Sequence, residues 1–234
     1  MSADPTLKEP IMRVVALLML FAAPLAAQYP ATPAAPAAGH AADPDHMVQG
    51  NGLPAGWNGR TDRGQPLAGA KFEAMGAGYH VTTGPAVILW RATDRANGAF
   101  HTLATFTQVK APAHPEAYGM FVAGSNLDSA SQSYIYVLVR GDGAYMIKRR
   151  VGATVTAVVD WTPSPAVNKA DSAGKATNKI EMQNTDGHLT FTINGQQVHS
   201  MDVPVAETRG IVGLRVNHNL EVHIDGFAVH NIGR

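Results

Sequence analysis

The sequence predicts an all-β fold, a two-sheet antiparallel β-sandwich of jelly-roll type, on three observations. Short runs rich in Val, Ile, Thr, Phe and Tyr recur between turn residues from Lys71 to Val229. The 23 glycines and 15 prolines punctuate the whole chain, which suits many short strands better than long helices. No segment sustains an apolar period of 3.6 residues, and only Ser125 to Ser131 hints at a short helical turn. About a dozen strands over roughly 180 residues fit two stacked sheets.

The elements follow in order. Residues 12–27, MRVVALLMLFAAPLAA, have a secretory pattern: Arg13, an apolar stretch from Val14 to Ala23, and a small-residue cleavage site at Leu25-Ala26-Ala27. Residues 1–27 are therefore expected to be a signal peptide, with Met12 as an alternative start. The apolar run is about half the ~20 residues of a spanning helix, so no membrane span is expected. Residues 28–50, QYPATPAAPAAGHAADPDHMVQG, are dominated by Ala and Pro and are expected to be a disordered linker. The sandwich is assigned to residues 51–234, starting near Leu53 to Trp57. The expected location is secreted or periplasmic.

Strand runs then succeed one another: KFEAM, YHVTTG, AVILWR, AFHTLATFTQV, YGMFVAG, the pair in SYIYVLVRGDGAYMIKRR, and TVTAVVDW. A polar loop precedes NKIEMQN, LTFTI, QQVHSMDV, GIVGLRV and EVHIDGFAV. Asn194-Gly195 between alternating runs is a type I′ hairpin signal, because both central positions need positive φ, and Asp186-Gly187 reads similarly.

In the pair from Ser133 to Arg150, a three-residue Gly141-Asp142-Gly143 loop sets Val139 opposite Tyr145, Val137 opposite Ile147 and Ile135 opposite Arg149. Ile135, Val137, Val139, Tyr145 and Ile147 then share one apolar face. A two-residue turn would set Val137 against Lys148, an expensive burial of charge, so the first register is preferred. The other face carries Tyr134, Tyr136, Leu138 and Arg140 beside Met146, Lys148 and Arg150. Rings interspersed with donors suit a carbohydrate, whose C–H faces stack and whose hydroxyls bond. They equally suit cover by a loop, or plain strand propensity.

From about Trp57 to Val229 the sequence resembles the concanavalin A-like lectin/glucanase superfamily, and within it the laminin-G-like domains of 3-keto-disaccharide hydrolases. The matching segments are YVLVRGDGAYMIKRR, NKIEMQNTDGHLTFTINGQQV and RGIVGLRVNHNLEVHIDGFAV. The resemblance implies a curved sandwich whose concave sheet handles sugars, in binding modules and hydrolases alike. The Glu-x-Asp-x-x-Glu strand of retaining glucanases is absent, so the standard pair of carboxylates is not in place. Cleavage of a 3-keto glycoside could instead use a lone base, since the proton beside the ketone is acidified. The alternatives are a non-catalytic carbohydrate-binding module or lectin, and a cell-surface structural or adhesion domain.

Candidate residues are few. Tyr134, Tyr136, Arg140, Lys148 and Arg150, with Asp160 and Trp161 at a strand end, are the substrate-binding candidates. His101 and His80, each sharing parity with threonines on its strand, are the candidate proton carriers. Trp161 divides between sugar platform and core cap, and Trp90, in a uniformly apolar run, reads as core or sheet edge. Glu221, His223 and Asp225 share a face of the last strand.

The composition excludes other classes. Cysteine is absent, which removes disulfides, thiolate metal sites and a cysteine nucleophile. The 18 Lys+Arg balance 18 Asp+Glu with no basic block, so no nucleic-acid partner is expected. The 10 histidines form no His-x-His or His-Glu-x-x-His spacing, so no metal is expected, and no Gly-x-Ser-x-Gly elbow occurs, so serine hydrolysis of the common type is not expected; no other cofactor is expected. Loop acids such as Asp128 and Asp142 leave structural calcium open.

Overall fold

The alternating runs form strands because every second side chain must be buried, and the computed structural model, which describes residues 44–64 and 67–233, shows where each goes. One sheet runs β1 (Trp57–Thr61), β4 (Val87–Ala96), β13 (Gly210–Val216), β6 (Ala117–Ser125), β7 (Ser133–Arg140), β8 (Ala144–Val151) and β9 (Thr154–Pro163). The second runs β12 (Gln196–Asp202), β11 (His188–Ile193), β10 (Ala176–Thr185), β5 (Phe100–Gln108), β14 (Glu221–Asn231), β3 (Gly78–Thr83) and β2 (Ala70–Met75). We call them the first and second sheet. Neighbouring strands are antiparallel throughout, and the crossovers between sheets give the expected jelly roll. β1 was not foreseen as a strand, and Ser125 to Ser131 holds turns rather than a helix.

The main core lies between the sheets. Val137, Val139, Tyr145 and Ile147 of the first sheet meet Phe106, Ile180, Phe191 and Ile224 of the second. Each fully buried side chain of this size contributes about 1.5–3 kcal/mol by leaving water. Two polar links cross the core: Asn178 Nδ2 donates to the Tyr118 hydroxyl at 3.1 Å, and the Tyr145 hydroxyl donates to the Val198 carbonyl at 3.0 Å. Burial pushes the Tyr118 hydroxyl up to about 12, against the bond from Asn178, so it stays protonated.

The hairpin has the expected register, with Val139 opposite Tyr145, Val137 opposite Ile147 and Ile135 opposite Arg149. Its loop is the three-residue type: the Gly143 amide bonds the Arg140 carbonyl at 3.1 Å and Gly143 takes φ +91°.

Residues 1–43, with the expected signal peptide and most of the linker, lie outside the described residues. Its last seven residues, 44–50, form no strand, yet they are tied to the sandwich rather than free as a spacer would be. The His46 amide donates to Asn219 Oδ1 at 2.7 Å, and Asn219 Nδ2 donates to the Pro44 carbonyl at 3.0 Å. Among the described residues, no helix is long and apolar enough to cross a membrane.

Candidate functional site on the outer face of the first sheet

β6 and β7 are buried on both sides, because a second apolar cluster covers the outer face of their sheet. Ile88 and Trp90 of β4, Phe121 of β6, Tyr134, Tyr136 and Leu138 of β7 and Met146 of β8 form it, with Trp161 of β9 packed at its edge. This second side explains why AVILW is uniformly apolar: alternate residues serve two different clusters. Trp90 is therefore not in the inter-sheet core but on this outer face.

A charged layer lies over the rings. Arg215, on β13, donates from Nη1 and Nη2 to Asp62 at 2.7 and 2.6 Å, and from Nη1 to the Tyr134 hydroxyl at 3.1 Å. Its guanidinium also lies 5.0 Å from the centre of the Tyr136 ring. Arg150 reaches Asp62 at 3.7 Å, and Arg60 of β1 donates to the Ser129 carbonyl of the β6–β7 loop. Burial alone would raise the Asp62 carboxyl, but the bonds from Arg215 and the charges of Arg215, Arg150 and Arg60 hold it below its ordinary value. Burial likewise raises the hydroxyls of Tyr134 and Tyr136, which stay neutral.

The tyrosines thus differ from the sequence expectation. Tyr134 and Tyr136 are only 1% and 4% exposed, so their rings do not line an open hollow. The physical reason is Arg215: a lone charge in an apolar strand finds its counter-ion above the rings and closes them off. What stays accessible on the expected face is the far edge. The Arg140 guanidinium lies 4.1 Å from the centre of the half-buried Trp161 ring. It is fixed there by Asp142, which accepts from Nε at 3.1 Å and from Nη2 at 2.6 Å. Lys148 is half-buried nearby on β8, Arg150 is partly spent on Asp62 and the Gly152 carbonyl, and Asp160 is exposed.

The two candidate proton carriers sit elsewhere. His101 of β5 and His80 of β3 are on the outer face of the second sheet, separated from Tyr136, Arg140 and Trp161 by the whole core. His101 Nε2 is 3.0 Å from Glu181, and its ring stacks on His230. His80 Nε2 is 3.3 Å from Glu221, whose carboxyl is held below its ordinary value chiefly by the bond from Lys110. Neither histidine joins the substrate-binding candidates in one site, because the parity that placed them on a polar face could not say which sheet that face belonged to. Glu221 is thus shared by Lys110 and His80, while His223 turns to Asp225 at 3.2 Å. Among the described residues no group of three or more His, Asp or Glu side chains could hold a metal ion.

At the opposite end of the same outer face, Trp90, Asn58, Asn126, Asp128, Arg95 and Arg209 border a cavity of about 510 Å³. Sequence reading did not find this cavity, Asp62 or Arg215. The available signal for the last was parity, since Leu214 and Val216 face the core and Arg215 must face the other way.

Sandwich, second apolar cluster and crossovers together define a concanavalin A-like jelly roll. The fold is shared with the carbohydrate-binding module CBM66 from Bacillus subtilis, at 8% identity and a TM-score of 0.57, covering 75% of this chain and 96% of that one. A Bacillus subtilis protein of galectin-like fold aligns at 13% identity and a TM-score of 0.56, over 75% of this chain and 89% of that one. Bacillus licheniformis β-glucanase aligns at 10% identity and a TM-score of 0.52, over 78% and 95%. No protein-family description matches the sequence, and no match to it was found among curated proteins.

Proposed function

We propose that this is an exported carbohydrate-binding domain that engages a glycan on the outer face of its first sheet without cleaving it. The observation that carries the reading is the Arg140–Trp161 pair, a half-exposed indole and a guanidinium held by Asp142 at the rim of an aromatic sheet face. An apolar ring surface beside fixed donors matches a sugar, which is apolar on its C–H faces and polar at its edges. The fold shared with a carbohydrate-binding module and a glucanase supports this class, and the leader-like residues 12–27 support export.

Binding is favoured over hydrolysis by the state of the acids. Glycosidases need one carboxyl kept protonated as the acid and a second as base or nucleophile. The half-buried carboxylate of this face, Asp62, has its pKa lowered and both oxygens engaged by Arg215, the reverse of what an acid needs. Cleavage of 3-keto glycosides by a lone histidine would need His101 or His80 on this face, where neither lies.

A panel of neutral and charged glycans, together with 3-keto glycosides, tests the proposal. Retention of at least one glycan without product is the expected result. Trp161→Ala should weaken that binding about tenfold, through lost ring contact, with the melting temperature unchanged within a few degrees. Release of product from a 3-keto glycoside, or no retention of any glycan, overturns it.

A further inference from the structure

We propose that the cavity at the Trp90 end of this face is a subsite for an acidic saccharide, one bearing a carboxylate or a sulfate ester. The inference rests on the carbohydrate-binding reading and narrows its ligand class. The cavity, about 510 Å³, falls within the roughly 300–1,000 Å³ of small-molecule sites. Trp90, 8% exposed, reaches the cavity only by an edge of its indole, Asn58 and Asn126 offer amides, and Asp128 offers an acceptor for hydroxyls.

The charge of the lining decides the ligand class. Arg95 and Arg209 are both exposed on the cavity, and among the described residues neither has a carboxylate partner. Arg91, Arg140, Arg149, Arg150 and Arg215 each face an acid of this chain, and Arg60 and Arg63, which form no ion pair among the described residues, do not line this cavity. Two unneutralised guanidinium groups beside an indole present a fork that fits a planar carboxylate or a sulfate in paired bonds. A neutral sugar would use the indole and the amides and leave both forks unfilled.

The backbone is shaped for this opening. Ladder register shifts between Ile211 and Gly213 on β13, and between Val122 and Ser125 where β6 meets β7. Between them Ala123 takes φ +59°, the one alanine among the described non-glycine residues with positive φ, the others being Asn or Asp. Such a conformation is strained for a residue with a Cβ and persists only where the surroundings impose it. Gly210, at φ +148°, lies so close to β6 that an added Cβ would meet the Gly124 carbonyl oxygen at 2.7 Å. The two register shifts interrupt regular pairing beside the cavity, and Arg209, one residue before Gly210, lines it.

Titration of the full chain with matched oligosaccharides tests this. The probes are uronate oligomers, their carboxyl-reduced neutral counterparts, and sulfated oligomers of the same backbones. An acidic member should bind about tenfold tighter than its neutral match, and the preference should shrink as salt rises from about 0.05 to 0.5 M. Which acidic arm binds distinguishes carboxylate from sulfate. The Arg95→Gln/Arg209→Gln double variant should lose the preference, whereas Lys175→Gln, which removes one positive charge from the loop before β10, should keep it. Equal binding of acidic and neutral members, or a preference that survives the double arginine substitution, overturns the inference and leaves carbohydrate binding standing. Failure of every glycan to bind overturns both.

Discussion

Arg215 organises the outer face, and its energetics are those of a buried ion pair. Its side chain is 8% exposed and its partner Asp62 32% exposed, so the arginine carries the larger desolvation cost. Losing Asp62 leaves that guanidinium with the hydroxyl of Tyr134 and the Tyr136 ring face alone. Asp62→Asn should therefore destabilise the fold by about 2–3 kcal/mol at pH 7, measured by urea unfolding, and adding Arg215→Met should recover most of it. The pH dependence has a definite sign. The carboxyl sits below its ordinary 3.8 in the folded protein, so its contribution is fully present above that value and is lost as pH falls through the depressed one. The stability gap between the wild type and Asp62→Asn should be flat from neutral pH down to about 5 and close below 3.8. A gap that widened on acidification would contradict the assignment.

Hairpins fix which residues face which layer. β11 and β12 join through Asn194-Gly195, at φ +50° and +81°, with Ile193 opposite Gln196. Asn194 does more than tolerate the turn. Its Oδ1 accepts from the Lys179 amide at 2.8 Å, and its Nδ2 donates to the Ala166 carbonyl and to Asn178 Oδ1, both at 2.8 Å. Asn178 in turn holds Tyr118 across the core. Asn194→Gly keeps the backbone freedom and loses three bonds, while Asn194→Ala loses both. Thermal or urea unfolding should show Asn194→Ala as the worse, by about 1 kcal/mol, with Asn194→Gly itself costing about 1–2 kcal/mol. Equal effects would mean that the side-chain bonds alone matter. The dipeptide was legible in the sequence because its φ requirement is local; the three side-chain bonds were not, because their partners come from other strands and loops.

The same divide between local and distant information separates fold from site over the whole molecule. Strand runs, hairpin registers and the apolar face of β7 and β8 follow from period-two patterning and turn chemistry, which act within a few residues. Which outer face a polar residue shares with another depends on sheet order, and β7 and β5 lie centrally in different sheets although both alternate cleanly. His101 and Tyr136 accordingly looked compatible in sequence and stand on opposite sides of the sandwich. Cover was equally invisible, since Tyr134 is buried by Arg215, 81 residues away. This layout makes a partition prediction for the protein as a whole. If the glycan lies on the first sheet, Arg140→Ala should weaken binding roughly three- to tenfold by removing the guanidinium from the Trp161 ring. Replacement of His101 or His80 by Ala, across the core, should change affinity by less than about twofold, since charges that far apart are largely screened in buffer. The three tryptophans report the same division. Trp57 packs against Phe72 and Tyr79 at the inter-sheet core, whereas Trp90 and Trp161 are on the outer face. A glycan-induced change in tryptophan fluorescence should survive Trp57→Phe and diminish in Trp161→Phe. The opposite pattern, with a response carried by Trp57 and abolished by His101→Ala, would move the binding surface to the second sheet.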